Sequence, residues 1–261
     1  MGAGDIVACE RGVGGRGAEA TAKLLDRIPG AVFTAGDNAY QSGSLAEFTR
    51  CYDPTWGRHK RRTHPVPGNH EYETPGAAGY FGYFGAAAGD SGKGYYSYTL
   101  GAWHIVALNS NIDMRPGSAQ LRWLRADLTA HPTRCALAYW HHPRFSSGTT
   151  HGSAKETAPL WRALYEAGVD VVIAGHEHNY ERFAPQDPLG VADSARGIRE
   201  FVVGTGGDSH FPLGPRIANS EVANSATFGV LQLTLEQAGY RWEFIPVQGK
   251  TFTDSGSGSC H

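Results

Sequence analysis

The sequence contains no run of about 18 apolar residues, so no transmembrane helix is expected. Basic charge is not in excess: 23 Lys and Arg stand against 25 Asp and Glu, for a formal net charge of -2. That balance argues against a nucleic-acid binder with a broad basic face. The one basic cluster, RHKRR at 58–62, is short and reads as a solvated surface stretch. Cysteine is scarce, and Cys9, Cys51, Cys135 and Cys260 form no C-x-x-C pair, which disfavours zinc ribbons and thioredoxin-like redox sites. FSSG at 145–148 is not a G-x-S-x-G nucleophile elbow, so Ser146 and Ser147 read as loop hydroxyls. No internal repeat, low-complexity block or linker interrupts the chain.

An even cysteine count permits two disulfides, with three pairings open, and the expectation is disulfides in an exported protein. The chain opens MGAGD, directly onto the end of a first strand, with no signal peptide in view. A start methionine in place of an upstream export segment is the corresponding expectation.

What is present is a chain of 261 residues, 41% hydrophobic, enough for one large core, and the expected organisation is a single domain over 1–261. Its 35 glycines and 14 prolines imply many turns and long functional loops. Many of the twelve histidines lie beside Asp, Asn, Gly or Pro, which favours loop-borne chemistry over core packing. GDIVAC, AVFTAGDNAY, HPVPGNHEY, CALAYWHHPRFSSG and VDVVIAGHEHNYER each read as a strand running into a loop. AEATAKLLDRI, SAQLRWLRADLTAH (with serine as N-cap) and AKETAPLWRALYEAG read as helices, and YYSYTLGAWHIVALNS as a hairpin turning near Gly101. YETPGAAGYFGYFGAAAG at 72–89 reads as a loop whose aromatics line a pocket or pack. The part from IREFVVGTGG onward alternates as further strands, with TDSGSGSCH a loose end unless Cys260 ties it down.

Strand and helix alternating, with buried apolar strands, point to an α/β sandwich. The strand ends carry Asp5, Asp37, Asn69, His141, His176 and His178. Ligands of open α/β sheets sit beyond the carboxyl ends of the strands. Each piece alone is weak, since GD after a strand is a common turn and HHP can be two surface imidazoles. Together, in this order, they are hard to explain by packing, because buried Asp and His groups are costly unless paired or metal-bound.

The order GD, GDNAY, GNHE, a histidine after a strand and then GHEH resembles the calcineurin-like metallophosphoesterases. Tyr40 in GDNAY narrows the resemblance to the purple acid phosphatase branch, in which a tyrosinate binds ferric iron. These motifs run from Asp5 to His178. The resemblance implies a four-layer α/β/β/α sandwich of two mixed sheets flanked by helices, and a site for two metal ions. Asp5, Tyr40 and His178 would hold the first metal, Fe3+. Asn69, His141 and His176 would hold the second, a divalent Fe, Zn or Mn, with Asp37 bridging the two. His176 and His178 would thus point to different metals, with Glu177 turned away as a hydrogen-bonding or surface residue. In HHP the family's ligand lies two residues before the proline, which gives His141 and leaves His142 to support a ligand or to face the substrate.

The implied reaction is hydrolysis of a small phosphate ester by a metal-bound hydroxide, with a histidine protonating the leaving alkoxide. His70, next to a ligand, and His151, ten residues past His141, are the candidate donors. Glu71 reads as an orienting partner of His70 or a surface carboxylate. Alternatives within reach are a phosphodiesterase acting on cyclic nucleotides or phospholipid head groups, and a non-catalytic metal-binding protein. GVGGRG at 12–17 satisfies the dinucleotide pattern G-x-G-x-x-G, with Asp37 twenty residues past Gly17. That reading leaves GNHE and GHEH unexplained, and the glycines are expected to form a flexible loop at the rim of the site. Nothing in the sequence is long enough for the extra N-terminal β-domain of the larger plant phosphatases, so a bare catalytic domain is expected. A nucleic-acid groove and a membrane span are not expected, and a monomer is favoured.

Overall fold

The computed structural model describes residues 1–10 and 13–261. Two mixed sheets lie face to face. The first has six strands in the order β16-β15-β14-β1-β4-β6. Its strands β1 (Gly2–Ala3), β4 (Val32–Ala35) and β6 (Thr63–Val66) are parallel, and β14 (Gly229–Leu235), β15 (Gly239–Pro246) and β16 (Ser255–Ser259) join them antiparallel. The second has seven strands in the order β13-β11-β12-β10-β9-β8-β7. Its parallel centre is β8 (Trp103–Ala107), β9 (Cys135–Tyr139), β10 (Val171–Ala174) and β12 (Arg199–Val203). β7 (Tyr96–Leu100), β11 (Tyr180–Phe183) and β13 (Ser220–Asn224) complete it antiparallel. A small third sheet joins β2 (Val7–Glu10), β3 (Val13–Gly14) and β5 (Ala39–Tyr40) beside the first.

Period-two alternation decides which side chains meet. Ile105, Leu137, Val171, Ile173, Phe201 and Val203 of the second sheet face Phe33, Leu231 and Phe244 of the first in the central core. Val106, Ala136, Ala138 and Val172 point the other way, into an outer core under α5 (Ala119–Ala130) and α6 (Ala158–Glu166). α1 (Arg16–Leu25) buries Ala18, Ala22 and Leu25 on the far side of the first sheet, so the order of layers is α/β/β/α. Ser118 caps α5 by accepting from the Leu121 N–H at 3.2 Å, as its position in the sequence predicts.

Two expectations change, and the structure decides the condition set for the tail. Residues 75–88 are not a loop: two short 3-10 turns flank α4 (Ala78–Phe84), which follows α2 (Leu45–Glu47) and α3 (Asn69–Tyr72). Tyr80, Phe81, Tyr83 and Phe84 are buried core, so its aromatics pack and do not line a pocket. The tail is not loose, because β16 pairs with β15 and Cys260 is bonded to Cys135. Gly256 and Gly258 permit this strand: a Cβ there would lie 2.4 Å from the Trp242 ring and 2.5 Å from the Tyr240 ring. The glycines after Gly12 do not form a rim loop either. Gly14 is in β3, Gly15 caps α1 and Gly17 lies inside it, while Arg11 and Gly12 fall outside the described residues.

The structure selects the cysteine pairing Cys9–Cys51 and Cys135–Cys260. The second bond runs from β9 of one sheet to the residue after β16 of the other. Among the described residues no helix is long and apolar enough to cross a membrane.

Candidate metal centre

The parallel strands of both sheets point their carboxyl ends at one edge. Asp5 follows β1, Asp37 follows β4, Asn69 follows β6, His141 follows β9, and His176 and His178 follow β10. The sheets touch directly there. The Gly4 N–H donates to the Val203 carbonyl at 2.8 Å, and His141 Nδ1 donates to the Ala35 carbonyl at 2.8 Å. Among the described residues five non-glycine residues have positive φ, and Asp5 (59°), Asp37 (49°) and His176 (70°) are three of them. Left-handed backbone is uncommon outside glycine and clusters at functional sites. It turns each chain sharply at the strand end and aims the side chain across the edge. Gly68 has a different reason: a Cβ there would sit 2.1 Å from the Asp37 carboxylate.

All seven sequence-predicted donors converge. The Tyr40 hydroxyl lies 3.0 Å from Asp5 Oδ1, 3.1 Å from Asp37 Oδ2 and 3.0 Å from His178 Nε2. His178 Nε2 is 3.2 Å from Asp5 Oδ1. In the second group His141 Nε2 is 3.1 Å from Asn69 Oδ1, 3.2 Å from Asp37 Oδ2 and 3.1 Å from His176 Nδ1. Asp37 Oδ2 belongs to both groups. Asp5, Asp37, Tyr40, His141 and His178 are almost fully buried.

This donor set suits cations better than hydrogen bonds. Tyr40 has a single hydroxyl proton for three acceptors. His141 spends its Nδ1–H on Ala35, so its Nε2 shows the Asp37 carboxylate a lone pair in the neutral ring or a proton in the charged one. Ser209 Oγ donates to Asp208 at 2.9 Å and takes the His178 Nδ1–H at 2.7 Å, so His178 Nε2 faces Asp5 in the same two ways, and a cation can stand in for the proton at either ring. Ligands held 2.0–2.2 Å from one ion stand about 3 Å from one another, as these atoms do. A carboxylate, phenol, amide and imidazole set fits two cations.

The electrostatics agree. Burial, then the Asp37 and Asp5 carboxylates, push the Tyr40 phenol well above its ordinary range. Only a cation against its oxygen reverses that sign. Burial works to raise the Asp37 carboxyl, but the His141 and His70 imidazoles outweigh it and hold Asp37 well below the usual range. For His141 burial is again outweighed, by Asp37, and its imidazole rises to about 9. Burial, then His141, drives His176 far down.

The substrate-side histidines ring the mouth. His70 Nδ1 donates to the Gln41 carbonyl at 2.6 Å, and its ring lies 4.4 Å from that of Tyr40. The exposed His151 ring stacks on His176 at 4.0 Å. His142 Nδ1 meets Ser110 Oγ at 2.7 Å, and burial, then His141, pushes its imidazole down to about 3. Glu71 does not orient His70 and is not on the surface. It is buried and accepts from the main-chain N–H groups of Asn38 (2.8 Å), Ala39 (3.2 Å) and Gly68 (2.7 Å), tying the Asp37 and Asn69 turns together. Glu177 is likewise buried and accepts from the His151 N–H at 2.6 Å.

Sequence reasoning passed over Asp208, Ser209 and Phe211, which follow β12. Phe211 stacks on the His178 ring at 3.8 Å and Asp208 Oδ2 is 3.5 Å from His178 Nδ1. Their signal was present in GTGGDSH, a strand end followed by Gly-Asp like the other two.

Two mixed sheets between helices, with carboxylate, phenol, amide and imidazole donors at one strand edge, constitute the metallophosphoesterase fold. The family model for calcineurin-like phosphoesterases matches residues 2–180, and the chain belongs to that family. It is 34% identical over 170 residues to probable purple acid phosphatase 20 of Arabidopsis thaliana, a match covering 60% of this chain and 39% of that protein. With purple acid phosphatase 23 of the same plant the identity is 32% over 159 residues, covering 52% of this chain and 34% of the relative. The matches thus span well under half the length of these relatives. Among solved structures, purple acid phosphatase PPD1 from yellow lupin (Lupinus luteus) seeds superimposes with a TM-score of 0.81 at 21% identity, over 99% of this chain and 53% of that one.

Proposed function

We propose that residues 1–261 form a single catalytic domain that hydrolyses small phosphate monoesters as purple acid phosphatases do. Asp5, Tyr40 and His178 would hold ferric iron, since phenolate and carboxylate favour a trivalent ion. Asn69, His141 and His176 would hold a divalent Fe, Zn or Mn, and the shared Asp37 would bridge. The observation that carries this reading is the Tyr40 hydroxyl, buried between Asp5, Asp37 and His178 at 3.0–3.1 Å. A tyrosine there has no packing role that its polar neighbours would reward.

Two bound cations would hold the phosphoryl oxygens, offset their charge and supply hydroxide near neutral pH. The chain's own groups do the rest. His70, with its Nδ1–H committed to Gln41 and Nε2 3.9 Å from Asp37 Oδ2, can donate from Nε2 to a phosphoryl oxygen only as the imidazolium. His151, over His176, is the proposed proton donor to the leaving oxygen. His142, uncharged and tied to Ser110, shapes the substrate side of the site. Two disulfides support a place outside the cytoplasm.

Elemental analysis and a visible spectrum of freshly purified, chelator-free protein test the reading. About two metals per chain, one of them iron, with a visible charge-transfer band are expected. Tyr40→Phe should abolish the band while the fold persists. A band that survives in that variant, or two metals without iron, would remove the purple-type assignment.

A further inference from the structure

We infer that Glu177 is a positioning residue for His151, and the anchor nearest the site among three buried glutamates that hold segment 144–152 by its main chain. The inference rests on the phosphoesterase reading above. Segment 144–152 leaves the His141-His142 pair and brings His151 onto the His176 ring before α6 begins. Its N–H groups reach three carboxylates in succession. Arg144 and Phe145 donate to Glu200 at 2.8 and 3.0 Å. Ser147 donates to Glu181 at 2.8 Å from its N–H and also from its hydroxyl. His151 and Gly152 both donate to Glu177 Oε1, His151 at 2.6 Å.

Glu177, Glu181 and Glu200 are each 0% exposed. A buried carboxylate is costly, and accepting main-chain N–H groups is among the strongest compensations available to it. Three of them spent on one loop fix that loop firmly. Glu177 differs from the other two in its place in the chain. It stands between His176 and His178, so its backbone belongs to the donor loop while its side chain holds the His151 loop. The His151 ring consequently stacks on His176, with 29° between the planes. A shift of either loop is transmitted to the other through one carboxylate. Glu177 touches no reacting atom, and its effect passes through His151.

The test uses metal-loaded protein and two probes that differ in leaving group. p-Nitrophenyl phosphate needs little proton donation, and glycerol phosphate needs much. His151→Ala is expected to lower kcat on glycerol phosphate about 100-fold, and on the aryl ester by less than about tenfold. Glu177→Ala should show the same selectivity at about a tenfold loss, in kcat more than KM, with metal content unchanged. Glu177→Gln, which keeps the acceptor oxygen, should recover most of it. Combined with His151→Ala, Glu177→Ala should add almost nothing. Equal losses on both esters, a drop in metal content, or full additivity with His151→Ala would overturn the inference while leaving the phosphoesterase reading in place. A metal-loaded wild type inactive on both esters removes the reading, and the inference with it. Should Glu177→Ala fail to fold, amide exchange in the wild type decides: the His151 and Gly152 amides are expected to be protected, and free exchange there overturns the inference.

Discussion

The two walls of the cleft carry different atoms. The first sheet, with the small third sheet beside it, contributes oxygen, from Asp5, Asp37 and Asn69 and from Tyr40 of β5, and the second contributes nitrogen, from His141, His176 and His178. Each wall is also braced by buried glutamate, but on a different scale. On the oxygen side Glu71 alone spans two tight turns, with Asn38 and Ala39 on one and Gly68 on the other. On the nitrogen side Glu177, Glu181 and Glu200 are spread along a loop of nine residues, 144–152. The difference teaches that neither wall is a site by itself. Each candidate metal position takes ligands from both sheets, so the docking of the sheets is part of the site.

Asp37 is where the two walls share an atom, and breaking it should have the largest effect. Its Oδ2 reaches Tyr40 and His141, and its Oδ1 accepts from the His70 N–H at 2.9 Å. Asp37→Ala should therefore release both metals and lower kcat/KM by on the order of 10⁴-fold, equivalent to about 5 kcal/mol of transition-state stabilisation. Asn69→Ala, which touches only one group, should retain about one metal per chain. Metal analysis and steady-state kinetics on the two variants check the contrast. If Asp37→Ala keeps one metal as well, the groups do not share a bridge.

The sheets are also tied covalently, by Cys135–Cys260 across 125 residues. Cys9–Cys51 closes only 42 residues and stays on the oxygen side. On loop-closure entropy, Cys260→Ser should cost about 4–5 kcal/mol of unfolding free energy, and Cys51→Ser about 1 kcal/mol less. Urea unfolding measures both. Equal costs would mean that tying the sheets together contributes nothing beyond local strain relief.

How much of this was legible in the sequence follows the same division. Asp5, Asp37, Asn69, His141 and His176 could be read because each lies two or three residues past a strand, so GD, GN and GH recorded turn and ligand together, while Tyr40 in β5 and His178 were read through the motifs GDNAY and GHEH. The braces could not. Glu200 lies 56 residues from Arg144 and Glu181 lies 34 from Ser147, and no local pattern links them. Glu71 was visible but assigned to the wrong partner, because the sequence cannot show that the Asp37 turn folds over it. In AAGYFGYF the glycines broke the helical periodicity and hid α4, and in TDSGSGSCH the low β-propensity of Gly and Ser hid a strand that exists because the flanking rings leave no room for side chains. An α/β sandwich was readable from alternation, its four layers came only with the resemblance that the motifs carry, and the last sheet strands needed their partners.

The oxygen-side brace gives a smaller effect than either. Glu71→Ala would strand the Asn38, Ala39 and Gly68 N–H groups without water, at about 3 kcal/mol of stability. Glu71→Gln should cost less, since the acceptor remains. Thermal or urea unfolding of the two variants distinguishes them, and a loss below about 1 kcal/mol for alanine would show that the two turns hold their shape without the brace.

The most gradual expected effect separates the walls by pH. Burial raises the Glu200 carboxyl from 4.5 to about 8, against the opposing pull of the Arg144 and Phe145 N–H groups. The folded chain therefore holds this proton more tightly than the unfolded one. Its contribution to stability is fully present below pH 4.5 and is lost as pH rises through about 8. Within that window the slope from this one group is at most about 1.4 kcal/mol per pH unit. Glu200→Gln removes the titration and keeps an acceptor oxygen for only one of the two N–H groups, so its stability should be lower at pH 5 but decline less than that of the wild type between pH 5 and pH 8. Unfolding free energies measured across that range decide it. Parallel profiles for the two proteins would mean that the N–H groups of Arg144 and Phe145 outweigh burial and keep Glu200 ionised throughout, making the nitrogen-side brace a charged one like an oxyanion cradle.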